Sequence, residues 1–287
     1  MTEQLTLMTV HAHPDDEIFS TGGSLAMYAD RGIHTVLVTC TGGEEGEIVD
    51  PTMEQEQIRP RLKQVREEEL RCAADLLGVR SLELLGYRDS GMAGTPSNQN
   101  PASFNMATLE EATGRLVRLV RRYQPQVLVS YDENGSYGHP DHIKAHLITG
   151  LAFDAAGDPA RYPDAGPAWQ PQKLYYCGIS TGQRERWAKA AQEAGIDVPW
   201  LNQPQENEPP RGLPQQRITT IVEVGEYIDR KMAAFRCHRT QIREDSFFFK
   251  LPPEVARKAY SDEQFIRVRS LVEAALPEDD LFAGIPG

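Results

Sequence analysis

A chain of 287 residues can bury a sizeable core as one large domain or two small ones, and 40% hydrophobic with 25% charged residues is ordinary for a globular protein. No apolar run approaches the roughly 20 residues of a membrane helix, which excludes a membrane-spanning reading. The net charge of −12 argues against nucleic acid as a partner, because phosphate-binding surfaces need clustered Lys and Arg, and it fits a surface kept soluble by charge.

Leu5 to Val10 reads as a first strand, and Ile18 to Arg31 as a helix stopped by Gly32. Ile33 to Cys40 is a near-continuous apolar strand of the kind buried on both faces, so the two strands form a parallel pair joined by a right-handed crossover. Thr41 to Glu47 is a glycine-containing acidic turn. It is not a phosphate loop, since the Gly-Lys-Ser/Thr ending is missing and its glutamates would repel phosphate. Met53 to Leu77 reads as a charged helix broken near Pro60 and ended by Gly78, and Leu82 to Leu85 as a third strand. Tyr87 to Ala107 is a polar segment of a length that compact domains reserve for functional or disordered loops. Thr108 caps a helix from Leu109 to Tyr123, with Glu111 completing a capping box. Val127 to Tyr131 is a fourth buried strand, and a helix follows from Asp141 to about Ala155.

Beyond Gly157 the texture becomes proline-rich. Lys173 to Cys177 and Arg217 to Val222 read as strands, Gln183 to Ala194 and Val224 to Arg236 as helices, and Glu254 to Ala275 as a region of short helices. Val198 to Pro214 is a candidate mobile lid. The expected fold class is α/β: a mostly parallel sheet with helices on both faces and a site at the carboxyl ends of its strands. Residues 1–157 form the expected core, and 158–287 a C-terminal portion that completes the sheet and covers the pocket.

Two clusters occupy equivalent places, each after a buried strand and at a helix start: His11-Ala12-His13-Pro14-Asp15-Asp16-Glu17 and Tyr137-Gly138-His139-Pro140-Asp141-His142. A turn splays adjacent side chains, so His13 and Asp16 can converge on one ion while Asp15 points elsewhere. The plainer alternative is that Asp15 or Asp16 only caps the helix. Two histidines and a carboxylate suit catalytic zinc with a position left for water, and iron(II) takes nearly the same donors. The residues alone do not choose among the downstream histidines. Binding to such an ion lowers the pKa of water to roughly 7, and a nearby carboxylate that is not a ligand, Asp15, can take the remaining proton. Tyr137 and a protonated His139 can stabilise the oxyanion of an attacked amide, His139 can protonate the leaving amine, and Asp141 can hold His139 in the required tautomer.

These residues carry a resemblance. Ala12-His13-Pro14-Asp15-Asp16-Glu17 with His139-Pro140-Asp141-His142 resembles the LmbE-like (PIG-L) family of metal-dependent N-deacetylases. Tyr131 to Gly135, Arg88 to Met92, His238 to Gln241 and Asp280 to Ile285 are most similar to its mycothiol-pathway members, a deacetylase and an S-conjugate amidase. The resemblance implies a Rossmann-like fold and zinc held by His13, Asp16 and His142. It also implies Asp15 as base, oxyanion contacts from Tyr137 and His139, and support from Asp141. By the same resemblance, Arg66, Asp89 and Ser20 touch the sugar or inositol hydroxyls. The implied reaction is removal of an acyl group from an N-acylated glucosamine unit on a small molecule, with cleavage of a thiol conjugate at the amide as the alternative.

Two rivals belong to other classes. A binding protein without turnover would have no use for Asp15, Tyr137 and His139 together. A metallophosphoesterase would carry a two-metal, carboxylate-rich site. His34, His146 and His238 read as ordinary surface or core residues. Cys40, Cys72, Cys177 and Cys237 form no C-x-x-C pair and are expected as buried, reduced thiols. The start lacks the basic segment of a signal peptide, so the expected location is the cytoplasm. Assembly as a homo-oligomer is compatible with this reading.

Overall fold

The computed structural model describes residues 4–198 and 212–286. Strand β1 (Thr6–His11) is buried along its whole length, as its apolar run requires. Helix α1 (Asp16–Asp30) returns the chain to β2 (His34–Thr41), which pairs with β1 in parallel. A short helix (Gln55–Ile58) and a 3-10 turn (Arg59–Arg61) containing Pro60 precede α2 (Leu62–Leu77). The break falls where proline removes a backbone donor, and α2 ends at Gly78 in the left-handed conformation (φ 75°) that glycine tolerates.

Next come β3 (Ser81–Tyr87), α3 (Leu109–Tyr123), β4 (Val127–Tyr131), α4 (Pro140–Ala156), β5 (Lys173–Cys177) and α5 (Thr181–Glu193). The chain closes with β6 (Thr220–Glu223), α6 (Ile228–Phe235), α7 (Pro253–Ala259) and β7 (Asp262–Ser270). Thr108 caps α3 by accepting from the Glu111 amide at 3.2 Å. The Glu111 carboxylate does not reach back to complete a capping box; it goes to Tyr87 and Arg115 instead.

One seven-stranded sheet runs β3-β2-β1-β4-β5-β7-β6. The first five strands are parallel, and β7 runs antiparallel to both β5 and β6. Leu25 of α1, Ala73 and Leu77 of α2, Trp187 of α5 and Ala234 of α6 join the core on one face. Leu116 and Val120 of α3 and Ile148 and Ala152 of α4 build the core on the other. Each Leu, Ile or Val among them contributes about 1.5–3 kcal/mol on burial. Strand order reverses between β1 and β4, and their helices leave on opposite faces. That is where an open α/β sheet forms its ligand crevice.

Two further expectations are corrected. The stretch from Glu254 to Ala275 holds a nine-residue strand as well as helix α7. The polar start of β7 hides it, because Glu263 is buried and finds its partners in other elements. It accepts from the Gly23 and Ser24 amides of α1 (2.8 Å each) and from Lys231 of α6 (2.7 Å). Cys72 and Cys237 are joined in a disulfide with Cα atoms 5.9 Å apart, whereas Cys40 and Cys177 are free and buried as expected. The packing of α2 against α6 brings the pair together, and their separation of 165 positions gives no hint of it. Of the candidate lid, residues 199–211 lie outside the described residues.

Candidate metal centre and active site

Beyond β1 the chain turns through Ala12 to Asp15 before α1 starts. Asp15 stands at the helix N-cap, but its side chain makes no capping bond. Asp16 turns back instead, and its Oδ2 accepts from the His13 amide at 2.8 Å. Beyond β4, His139 is the N-cap of α4; its Nδ1 accepts from the Asp141 amide at 3.2 Å, and Pro140 fills the first helical position. This places His142 in the first turn of α4, facing the β1 turn.

Three donor atoms meet there. His13 Nδ1 lies 3.2 Å from Asp16 Oδ2 and 3.2 Å from His142 Nε2, and the last two are 3.4 Å apart. Donors each about 2.0–2.1 Å from a tetrahedral zinc are separated by about 3.3 Å, so the near-equilateral triangle fits such an ion. His13 Nε2 faces away from the triangle and donates to Asp141 Oδ2 at 3.2 Å, with Asp89 Oδ1 at 3.5 Å. A proton on Nε2 leaves the Nδ1 lone pair for the triangle. Burial opposes charge on His13, yet Asp141, Asp16 and Asp89 hold its pKa well above the ordinary value. Burial likewise opposes charge on Asp16, yet His142 and His13 hold its carboxyl well below the usual range. The pocket favours a positive charge at its centre.

Asp141 is fully buried and serves His13, not the His139 side chain that the sequence reading gave it. Its other contacts are the Ser90 amide (2.9 Å) and the Ser90 hydroxyl. The protonated His139 expected from sequence is also not what the site favours. Burial, with positive charge on His13 and His142, pushes its pKa down to about 4. Its Nδ1 already accepts a bond, so the neutral ring carries its proton on Nε2 and is a donor without charge.

Tyr137 sits at the rim, 41% exposed, with its hydroxyl 3.5 Å from His142 Nε2. Burial of that hydroxyl and the Asp16 charge raise its pKa, so it stays a proton-bearing donor. Asp15 is pushed up to about 7 by burial, with Asp16 and Glu17 adding to the rise and Arg66 and His238 opposing it.

The three residues expected to touch substrate have partners within the protein. Arg66 is buried and donates to Gly43 O (2.6 Å), Pro14 O (2.5 Å) and Asp15 Oδ1 (3.2 Å). Gly43 has φ +66°, and a Cβ there would collide with the guanidinium. Asp89 lies beside His13 and accepts from the Gly91 and Glu45 amides (2.8 and 3.2 Å). Ser20 is bonded to Cys177 Sγ at 3.5 Å, with none of the ligand or acid-base candidates as its partner.

The sequence reading missed Tyr131 and Ser90. Tyr131 stacks on the His142 ring at 4.2 Å, accepts from the Ala12 amide at 2.9 Å and bonds Asp16. Tyr131 closes an apolar strand, and both residues lie in stretches that carry the family resemblance, Tyr131 to Gly135 and Arg88 to Met92, but neither was given a role there.

Residues 8–153 match the family PIG-L, GlcNAc-PI de-N-acetylase, and that span covers about half the chain and both histidine clusters. The chain belongs to the PIG-L family. Curated relatives extend over the whole PIG-L chain. A 1D-myo-inositol 2-acetamido-2-deoxy-alpha-D-glucopyranoside deacetylase of Geodermatophilus obscurus is 41% identical, covering 100% of both chains. A mycothiol S-conjugate amidase of Streptomyces coelicolor is 40% identical over 99% of both. Among solved structures, the N,N'-diacetylchitobiose deacetylase of Pyrococcus horikoshii shares the fold with a TM-score of 0.62 at 19% identity, covering 92% of this chain and 84% of that one. His238, β6 and β7 lie outside the span that the PIG-L family match covers.

Proposed function

We propose that this PIG-L chain is a metal-dependent deacetylase of an N-acetylated glucosaminyl-inositol, with His13, Asp16 and His142 as ligands. The observation that carries the reading is the donor triangle, with a non-ligand carboxylate of pKa about 7 at its edge. Zinc suits two imidazoles and a carboxylate, and iron(II) suits nearly the same set. A divalent ion held there supplies Lewis acidity, lowering the pKa of water to roughly 7 and polarising the amide carbonyl.

The chain's own residues do the rest. Asp15 takes the proton of the attacking water, a task matched by its pKa near neutrality. Tyr137 Oη and the neutral His139 Nε2 donate to the oxyanion as it forms. Asp15 ends this step holding a proton, and it returns that proton to the departing amine. Asp141 fixes the tautomer of His13, and Arg66 fixes the Asp15 carboxylate. Arg66, Asp89 and Ser20 stay in this reading as residues near the sugar and inositol hydroxyls, with their protein partners limiting how many further bonds each can make. Gly212, where the described chain resumes, donates to Ser136 O at 3.1 Å, beside Tyr137.

The alternative is amide cleavage of a thiol conjugate of the same glucosaminyl-inositol, which the similarity to the amidase supports. Mass spectrometry of products from the deacetylase substrate and from a mycothiol S-conjugate, with and without chelator, separates the two. Release of acetate and a free amine only without chelator is the expected result. Preferred turnover of the conjugate moves the assignment to the amidase, and turnover that survives chelation removes the metal mechanism.

A further inference from the structure

Asp15 is held in a backbone conformation that residues other than glycine rarely adopt, with φ 116° and ψ −26°. Surrounding bonds must over-determine such a residue if it is to persist. Its amide donates to Glu17 Oε2 at 3.0 Å. The other oxygen of the same carboxylate, Oε1, faces His238 Nε2 at 2.7 Å. Both Glu17 and His238 are 0% exposed. From the other side, Arg66 grips the Pro14 carbonyl and the Asp15 carboxylate.

His238 is anchored in turn. Its amide bonds Phe235 O at the end of α6, and its carbonyl accepts from the Gln241 and Ile242 amides. Two residues on, Thr240 gives both its amide (2.8 Å) and its hydroxyl (2.6 Å) to Glu69 of α2, the helix that carries Arg66. Cys237, the residue before, is tied to Cys72 of the same helix. The 237–241 turn therefore joins α2 to the Asp15 amide through direct contacts alone. Burial opposes charge on His238, but Glu17, Asp15 and Glu69 hold its pKa above the ordinary value, which favours an imidazolium facing Glu17.

A buried ion pair is weak evidence for added stability, because desolvation offsets its attraction. This pair ends on one specific backbone N–H, that of the residue with the strained conformation. We propose that Glu17 and His238 are positioning residues that pin the Asp15 backbone, and so aim its carboxylate at the reacting water, without touching substrate or metal. The inference rests on the reading of Asp15 as the base.

The test measures kcat, KM and metal content for Glu17→Ala, Glu17→Gln and His238→Ala, each also built on Asp15→Asn, with the inositol acetamido-glucopyranoside as substrate. Displaced carboxylates and lost outer-shell partners typically cost 10- to 100-fold. Glu17→Ala and His238→Ala should lose about that much in kcat, with KM within about twofold and metal retained. Glu17→Gln should recover most of the loss, because its amide oxygen still accepts from the Asp15 N–H. On Asp15→Asn none of the three should lower kcat further, since interacting positions are non-additive. A folded Glu17→Ala with unchanged kcat, or losses that add to that of Asp15→Asn, overturns the proposal while leaving the base assignment standing. Full activity in metal-loaded Asp15→Asn overturns both. Should His238→Ala fail to fold, the two Glu17 variants still decide.

Discussion

Asp15 lies between two cations, Arg66 and His238, and two carboxylates, Asp16 and Glu17, and burial tips the balance toward its neutral form. A base must be deprotonated to work, so kcat/KM should fall about tenfold per pH unit below pH 7, with the midpoint of the acid limb no higher than about 7. Asp15→Asn should lower kcat by roughly 10²- to 10⁴-fold with metal retained, read by product release and metal analysis on one sample. The same shift carries a cost in stability. The folded pKa exceeds the unfolded one, so the folded state holds the extra proton between about pH 4 and 7, and stability falls as pH rises through that window. Chelated Asp15→Asn should therefore melt several degrees above chelated wild type at pH 8, with the gap narrowing as pH falls below 7 and closing near pH 4. A gap that widens toward acid would show the sign to be wrong. The two candidate clusters were legible because each lies between an apolar strand and a helix start, although only the resemblance chose His142 among the downstream histidines. The Glu17–His238 pair was not, because its halves are 221 positions apart and either alone reads as an ordinary buried or capping residue.

At the scale of elements, the four parallel strands up to β4 and helices α1 to α4 followed from apolar runs, caps and breakers. Strand β7 did not, because its buried Glu263 is satisfied by amides of α1 and by Lys231 of α6. A polar residue whose partners come from distant elements looks, in one dimension, like an exposed one. The contact between α2 and the 237–241 turn was equally hidden, and the Cys72–Cys237 bond with it. Its loop of 165 positions should make it worth about 2–5 kcal/mol, so Cys72→Ser should lower the melting temperature. Thiol titration of the denatured protein should find two reactive cysteines before reduction and four after. Four before reduction would mean that the cytoplasmic expectation of free thiols holds.

At the scale of the whole molecule, the donor triangle draws on segments 126 residues apart, carried by adjacent strands β1 and β4. An ion bound there would join the two, so zinc at about 100 times its Kd should add about 2.7 kcal/mol, or roughly 4–5 °C in melting temperature for a chain of this size. Identical melting with and without chelator would contradict that link. No helix among the described residues is long and apolar enough to cross a membrane. The reversal of strand order between β1 and β4 has a longer-term consequence. The turns after β1 and β4 are braced by different helices on different faces, while the rim loops after β2 and β3 lean on them through the Gly43 carbonyl, Asp89 and Ser90. Changes of length at the outer tips of those loops, beyond these contacts, can reshape what the crevice admits without rethreading the sheet. Such an architecture allows one chemical step to be inherited across many acceptors, with selectivity rewritten at the periphery.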